Sequence, residues 1–316
     1  MNVAVVGATG LVGRLVLELL RERSFPFDEL RLFASRARKG VTFDGAVFDV
    51  EALETFRPSA GDLVLSCTPD EIARDHVPTW IEAGALVVDE SAAFRRDPRA
   101  VLVAAGVNDR IVDASTNLIA SPNCTTTQIA LTLAPLHRAF EIEELVVSTY
   151  QSASGAGAAG LRALDTGDPG PFGRDLRGDL VPGIGREHDG VTSEEAKLVR
   201  ELPRLLDTDF PVHATCVRVP VAVGHGASLH VRFRRPPDDA AALLESAFGV
   251  RVVDGAPGPS AVAGTDDVLA ARIRRAGDHA IALWCLGDNL RVGSALNAVR
   301  LAETMLDVHP RPRATR

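Results

Sequence analysis

Cys124 stands in S-P-N-C-T-T-T-Q, residues 121–128, between a strand-like run, Leu118–Ala120, and the apolar helical pattern I-A-L-T-L-A-P-L. That spacing puts the thiol in a strand-to-helix turn at or near a helix N-terminus. Such a setting lowers a thiol pKa and offers backbone N–H groups to a developing oxyanion, which is what a covalent nucleophile needs. A free cysteine is more often a buried, inert hydrophobe. Here Pro122, Asn123 and the threonines at 125–127 are turn and capping types rather than core types, and they weigh toward reactivity. Of the eight histidines, His225 has the best local case: V-G-H-G-A-S reads as a glycine-flanked loop able to bring an imidazole to a thiol. The other cysteines, Cys67, Cys216 and Cys285, are far apart, with no C-x-x-C pair and no histidine at metal-ligand spacing. They read as small core residues, with neither a metal site nor a disulfide framework indicated.

The elements that must position this chemistry begin at the N-terminus. Asn2–Val6 is a β-branched apolar run, followed by G-A-T-G-L-V-G-R and an apolar-periodic stretch through Leu20, a strand, tight turn and helix. Gly7, Gly10 and Gly13 form a G-x-x-G-x-x-G variant of the dinucleotide fingerprint, in which the glycines permit the turn, the approach of a pyrophosphate and close helix–strand packing. The next strand, Glu29–Phe33, is followed by A-S-R-A-R-K-G where an NAD enzyme would offer an acidic residue to the ribose hydroxyls. Ser35, Arg36, Arg38 and Lys39 suit a 2′-phosphate instead, so NADP is the expected cofactor; a solvated basic loop is the alternative. Leu63–Cys67 and Ala85–Asp89 alternate with a helical stretch, Asp70–Ala83, in the rhythm of a doubly wound parallel sheet.

With 316 residues the chain is long enough for two domains, and 46% hydrophobic with 24% charged residues is ordinary for a globular protein. A net charge of -8 disfavours nucleic-acid binding through a broad basic surface. No stretch is apolar enough to span a bilayer, and the first strand begins at Asn2, which leads us to expect no signal peptide and a cytoplasmic protein.

At Cys124 a family resemblance becomes specific. S-P-N-C-T-T resembles the nucleophile motif of the aspartate-β-semialdehyde dehydrogenase family, and the other motifs follow in that family's order. The opening G-A-T-G-L-V-G and A-S-R-A-R-K are similar to its NADP loops, and S-A-A-F-R to its phosphate-binding segment. Y-Q-S-A-S-G-A-G, T-S-E-E-A-K, C-V-R-V-P-V-A-V-G-H, G-T-D-D-V and D-N-L-R-V-G-S-A-L-N-A-V come after Cys124. The resemblance implies a Rossmann-type α/β NADP-binding domain, residues 1–124 plus 289–316, and an α+β substrate and dimerisation domain, residues 125–288, in a homodimer.

The same resemblance assigns roles. Cys124 is the nucleophile, His225 the acid–base catalyst, and Gln151 lines the active site. Arg218 and Glu194 anchor the substrate's carboxylate and amine; Arg95, Asn123 and Lys197 serve the phosphate site. Thr9, Leu11, Val12, Ser154, Gly155 and Asn289 join the cofactor set, Asn289 at the nicotinamide end. A substrate with an α-carboxylate, an α-amine and an acyl phosphate does need an Arg fork, an anion and a second basic pocket. On spacing alone, Glu194 and Lys197 read as a surface i, i+3 ion pair behind a cap at Thr192 or Ser193, and Arg218 as the exposed face of a strand over 214–223.

The implied reaction is the reversible, NADP-dependent reductive dephosphorylation of β-aspartyl phosphate through a cysteine thioester. The alternatives are an acylating dehydrogenase for another semialdehyde or for coenzyme A, and a silent NADP-binding regulator. Departures from the family pattern fall at Glu90, Gly106, Gly183, Val292 and Cys67-Thr68-Pro69. The P-R-P-R-A-T-R tail is expected to fray.

Overall fold

The computed structural model describes residues 1–43 and 45–309; the P-R-P-R-A-T-R tail lies outside the described residues. Two units are distinct: Met1–Pro122 joined by the segment from Ser294 onward, and Asn123–Gly293. Asn123, Cys124 and Asn289 therefore all belong to the second unit.

In the first unit, β1 (Asn2–Val6) is sealed along Val3–Val6, as a parallel strand covered on both faces must be. After it, α1 (Leu11–Glu22) buries Val16, Leu17, Leu19 and Leu20 along one stripe. The chain continues through β2 (Glu29–Ala34), β3 (Arg38–Phe43), β4 (Ala46–Ala52) and β5 (Leu63–Ser66). Then come α2 (Asp70–Glu82), β6 (Leu86–Asp89), β7 (Val101–Leu102) and β8 (Leu118–Ala120). The sheet order is β3-β4-β2-β1-β5-β6-β8-β7, with β3 antiparallel to β4 and the other pairs parallel. Because β1 lies between β2 and β5, the winding reverses beside it. The crevice beyond its carboxyl end is where such sheets bind ligands.

The second unit starts with α3 (Cys124–Phe140), β9 (Ile142–Gln151) and α4 (Gly157–Thr166). Short strands β10 (Val181–Pro182), β11 (Glu187–His188) and β12 (Val191–Thr192) lead into α5 (Ser193–Leu205). Next are β13 (Val212–Arg218), β14 (His225–Phe233), α6 (Ala240–Glu245), β15 (Val250–Val253), β16 (Val268–Arg275) and β17 (Ala280–Gly287). Seven strands form one mixed sheet, β10-β13-β9-β14-β17-β16-β15. A π-helical turn, Arg291–Ala295, precedes α7 (Leu296–Val308), whose Leu296, Val299, Leu301 and Met305 share the first unit's core with Val3 and Val5.

Three expectations need correction. Thr125, Thr126 and Thr127 are core, not turn: they are buried in α3, which is buried from Thr125 through Leu136. Thr127 offsets its desolvation by bonding back to the Asn123 carbonyl at 3.2 Å. His225 opens β14 instead of sitting in a loop. The strand expected over 214–223 stops at Arg218, because Pro220 has no N–H to continue a ladder.

Candidate active site

Asn123 makes the turn that carries Cys124. As N-cap of α3 its Oδ1 accepts from the N–H groups of Thr125 (3.0 Å) and Thr126 (3.3 Å), satisfying two otherwise orphaned donors. Its own N–H donates to Glu201 Oε2 at 2.8 Å, and its Nδ2 to Glu194 Oε1 at 2.9 Å. Cys124 thereby occupies the first helical residue, at the positive end of the helix dipole. Gly293 closes over it: a Cβ there would lie 2.9 Å from Cys124 Cβ.

Around the thiol is a cavity of about 560 Å³ lined by Cys124, Asn123, Gln151, Glu194, Lys197 and Arg218, together with Gly155 and Gly183. Glu194 is buried and bonded to Lys197 Nζ at 2.9 Å, so the pair is no surface bridge. Burial pushes its carboxyl up, but the Lys197 ammonium, the Asn123 amide and the Arg218 cation together outweigh that and hold it below the usual carboxylate range. Arg218, 5% exposed, is buried where alternation put it on the open face. Its Nη1 donates to the Ser152 carbonyl at 2.5 Å, and its charge acts on both Glu194 and Cys124. Burial pushes the guanidinium down from its ordinary value, with Glu194 opposing.

His225 is sealed from solvent and linked to Ser152, whose N–H donates to Nδ1 at 3.0 Å. Gln128 on α3 reaches the His225 carbonyl at 3.4 Å. Gly155 packs against both Arg218 and His225: a Cβ there would sit 2.6 Å from Arg218 Nη1 and 3.3 Å from His225 Nε2. Ser154 and Asn289, expected at the cofactor, are buried and bonded to each other at 2.9 Å.

In the first unit, Gly7 has φ +82°, and a Cβ on it would collide with the Cys67 carbonyl; one on Gly13 would collide with the Gly7 carbonyl. The turn is thus closed to side chains and bare to a ligand. Gly10, the N-cap of α1, carries no side-chain cap, and Thr9, Leu11 and Val12 complete the turn into the helix. A pyrophosphate fits this cradle. Ser35, Arg36, Arg38 and Lys39 are exposed; the last two begin β3 rather than lying in a loop. Arg95 is buried, its Nε on the Ser121 carbonyl (2.8 Å) and its Nη2 on the Glu90 carbonyl (3.0 Å). Cys216 and Cys285 are core residues whose thiols burial pushes up to about 12, while Cys67 is only half-buried.

Two family models match the chain: "Semialdehyde dehydrogenase, NAD binding domain" over residues 2–115 and "Semialdehyde dehydrogenase, dimerisation domain" over residues 133–292. Aspartate-semialdehyde dehydrogenase 2 of Vibrio cholerae is 38% identical over 328 residues, covering 96% of this chain and 97% of the relative. The chain belongs to the aspartate-semialdehyde dehydrogenase family. The enzyme of that name from Mycolicibacterium smegmatis is 37% identical, with 96% and 99% of the two chains covered. A crystal structure of the Vibrio cholerae aspartate-semialdehyde dehydrogenase II superposes with TM-score 0.91 at 37% identity, over 98% of this chain and 99% of that one.

Against the aspartate-semialdehyde dehydrogenase pattern, one departure bears on the cavity. Gly183 lines it and offers no side chain to its wall. Val292, another departure, is buried. Two contributors escaped sequence reasoning. Glu201 stands seven residues after Glu194, two helical turns along the same face, and that periodicity was its available signal. Ser152 lay inside the Y-Q-S-A-S-G motif, but nothing in its type or spacing announced contact with His225.

Proposed function

We propose that this chain carries out the family's reaction, the reversible NADP-dependent conversion of β-aspartyl phosphate and aspartate semialdehyde, in amino-acid biosynthesis. The observation that carries this reading is a nucleophilic cysteine at a helix N-terminus sharing one cavity with a buried arginine and a buried Glu–Lys pair. Arg218 takes the substrate α-carboxylate as a fork, and Glu194 takes the α-ammonium. Lys197 and Asn123 face the acyl-phosphate oxygens, and Arg95, aimed by two carbonyls of its own unit, is a further phosphate group ligand.

Cys124 thiolate, favoured by the helix dipole and Arg218, adds to the aldehyde carbon, and Gln151 helps orient the adduct. NADP, when bound, supplies the redox chemistry, accepting a hydride in one direction and returning it in the other. The Gly7–Gly13 turn would hold its pyrophosphate and Ser35, Arg36, Arg38 and Lys39 its 2′-phosphate, with Ser154 and Gly155 belonging to its set. Phosphate releases the acyl group from Cys124 as the acyl phosphate.

The described residues contain no helix long and apolar enough to cross a membrane, and we place the protein in the cytoplasm. We also infer a homodimer, formed through the face of the seven-stranded sheet opposite α3, where Val146 (45% exposed), Ser228 and His230 are exposed and Tyr150 packs edge-on to Trp284.

The test follows NADPH formation from NADP+, inorganic phosphate and a panel of semialdehydes, with coenzyme A as a rival acyl acceptor. Aspartate semialdehyde with phosphate is the expected pair. Cys124→Ala is expected to abolish turnover and leave NADP binding, read by fluorescence titration, unchanged within about twofold. A response only to another aldehyde or only to coenzyme A overturns the assignment; phosphate-dependent turnover surviving in Cys124→Ala overturns the mechanism.

A further inference from the structure

Four charged residues line the cavity around Cys124, and three of them are tied to partners within the protein. Lys197 is bonded to Glu194 at 2.9 Å, and Arg218 donates to the Ser152 carbonyl. The fourth, Arg186, is exposed, and its guanidinium has neither a hydrogen bond nor an ion pair among the described residues. Glu195, the next acid along α5, is engaged elsewhere, accepting from the Thr192 N–H at 2.8 Å and the Cys216 N–H at 3.1 Å. Arg186 therefore lines the cavity with its donors unspent.

Its side chain is open to solvent, but its backbone is held. The Arg186 carbonyl accepts from the N–H of Ser193, the first residue of α5, at 2.7 Å, and the Ile184 carbonyl accepts from the Glu194 N–H at 3.3 Å. These bonds satisfy two donors that the start of a helix leaves orphaned. The Gly183 N–H donates to the Cys216 carbonyl on β13 at 2.9 Å. Gly185 has φ +88°, and a Cβ on it would collide with Ser193 Oγ. A backbone conformation that glycine adopts without steric cost thus lays residues 183–186 against the helix that carries Glu194 and Lys197.

We propose that Arg186 is a phosphate-anchoring residue, whose guanidinium holds the incoming inorganic phosphate, and the acyl phosphate formed from it, at the solvent side of the cavity. This rests on the phosphorylating-dehydrogenase reading above and adds a residue to which the family resemblance assigns no role. The charge balance requires such a group. At the thioester stage the sulfur is uncharged, and the aspartyl group bound to it is a zwitterion. The hydrogen phosphate dianion then brings two negative charges. Lys197 and Arg218 against Glu194 leave one positive charge in the lining, and Arg186 supplies the second. Charge held away from water without compensation is costly. A guanidinium also presents a planar pair of N–H donors matched to two phosphate oxygens.

In the transfer step an oxygen of hydrogen phosphate bonds to the thioester carbon. The C–S bond breaks with its pair moving to sulfur, and the proton of hydrogen phosphate passes to that thiolate or to solvent. Both negative charges stay on the phosphoryl group of the product. Arg186 makes and breaks no bond and meets the same charge before and after, so its contact is uniform binding, expressed in KM rather than in kcat.

Initial rates of NADPH formation, with inorganic phosphate varied at saturating NADP+ and aspartate semialdehyde, provide the test. Arg186→Gln is expected to raise KM for phosphate about 10–100-fold, the usual worth of hydrogen bonds to a charged group. Both kcat and KM for the semialdehyde should change less than about threefold, which a merely structural role for Arg186 would not produce. Arg200→Gln removes another exposed cation of α5, one that does not line the cavity, and is expected to leave KM for phosphate within about twofold. An unchanged KM for phosphate in Arg186→Gln, an equal rise for phosphate and semialdehyde, or an equal rise in Arg200→Gln overturns the proposal. Phosphate binding is also read without turnover, through the protection that inorganic phosphate gives Cys124 against iodoacetamide, followed by peptide mass. The phosphate concentration for half-protection should rise about tenfold or more in Arg186→Gln. If the wild type turns over only with another acyl acceptor while protection still weakens in Arg186→Gln, the assigned reaction falls and the anion site stands. If phosphate-dependent turnover is present and Arg186→Gln matches the wild type in both KM and protection, the site falls and the reaction stands.

Discussion

At the scale of single residues, the site is a set of buried charges that compensate one another. Arg218 holds the Ser152 carbonyl with one nitrogen and leaves the planar fork to face the cavity. A lysine there has a point charge and a different reach. Arg218→Lys is expected to raise KM for the semialdehyde about 10–100-fold, seen in initial-rate kinetics, because bidentate recognition of a carboxylate does not survive the exchange. Glu90, a departure in the first unit, is different. Its Oε2 accepts from Ser294 Oγ at 2.5 Å, but Oε1 is buried without a partner. Burial raises the carboxyl from 4.5 to about 7, against the Ser294 and Ser121 hydroxyls and Arg95, which lower it. A folded-state value above the unfolded one means the native protein binds this proton more tightly. Stability from Glu90 is therefore greatest at acidic pH and falls as pH rises from about 4.5 through about 7. Glu90→Gln should raise the melting temperature at pH 8 and change it little at pH 5, an outcome checked by thermal melts; equal shifts at both would refute the titration.

At the scale of elements, α5 carries both members of the Glu194–Lys197 pair on its first two turns. Its start is fixed by a capping box: Thr192 accepts from the Glu195 N–H, and Glu195 Oε2 accepts from the Thr192 N–H at 2.8 Å. Thr192→Ala is expected to destabilise the protein by about 1 kcal/mol, the usual worth of an N-cap, and to weaken substrate binding by loosening the turn. Thr192→Ser should recover both, as denaturant titration and KM together would tell. The cap and helix were legible in T-S-E-E-A-K, since capping is local chemistry. That Glu194 faces inward was not, because an i, i+3 pair looks the same on either side of a helix until something packs on it.

At the scale of the whole molecule, the seven-stranded sheet has one side filled by core residues such as Leu145, Val147, Leu229 and Leu283, and another that is not. Across β9 and β14 the open side pairs Val146 with His230 and Ser148 with Ser228. A charge in the middle of this face meets its own symmetry mate in a two-fold dimer. Val146→Asp is expected to shift the sedimenting species from a dimer to the 33.5 kDa chain, without unfolding it, since the position is exposed in the monomer; an unchanged dimer would put the interface elsewhere.

What the sequence determined by itself was whatever is written in adjacent residues. The glycine turn after β1, the basic segment after β2, the cap at Asn123 with Cys124 at the helix start, and the capped helix of Glu194 all follow from local backbone and side-chain chemistry. Tertiary structure decided whatever depends on burial and on partners far along the chain. Arg218 turned inward because the face of β13 that alternation called open is covered. Thr125–Thr127 became core because α3 is enclosed. His225 meets a backbone N–H, that of Ser152, 73 residues away in sequence. Periodicity tells which residues share a face, but only packing tells what that face meets, and the charge or tautomer a group can hold is set by what it meets.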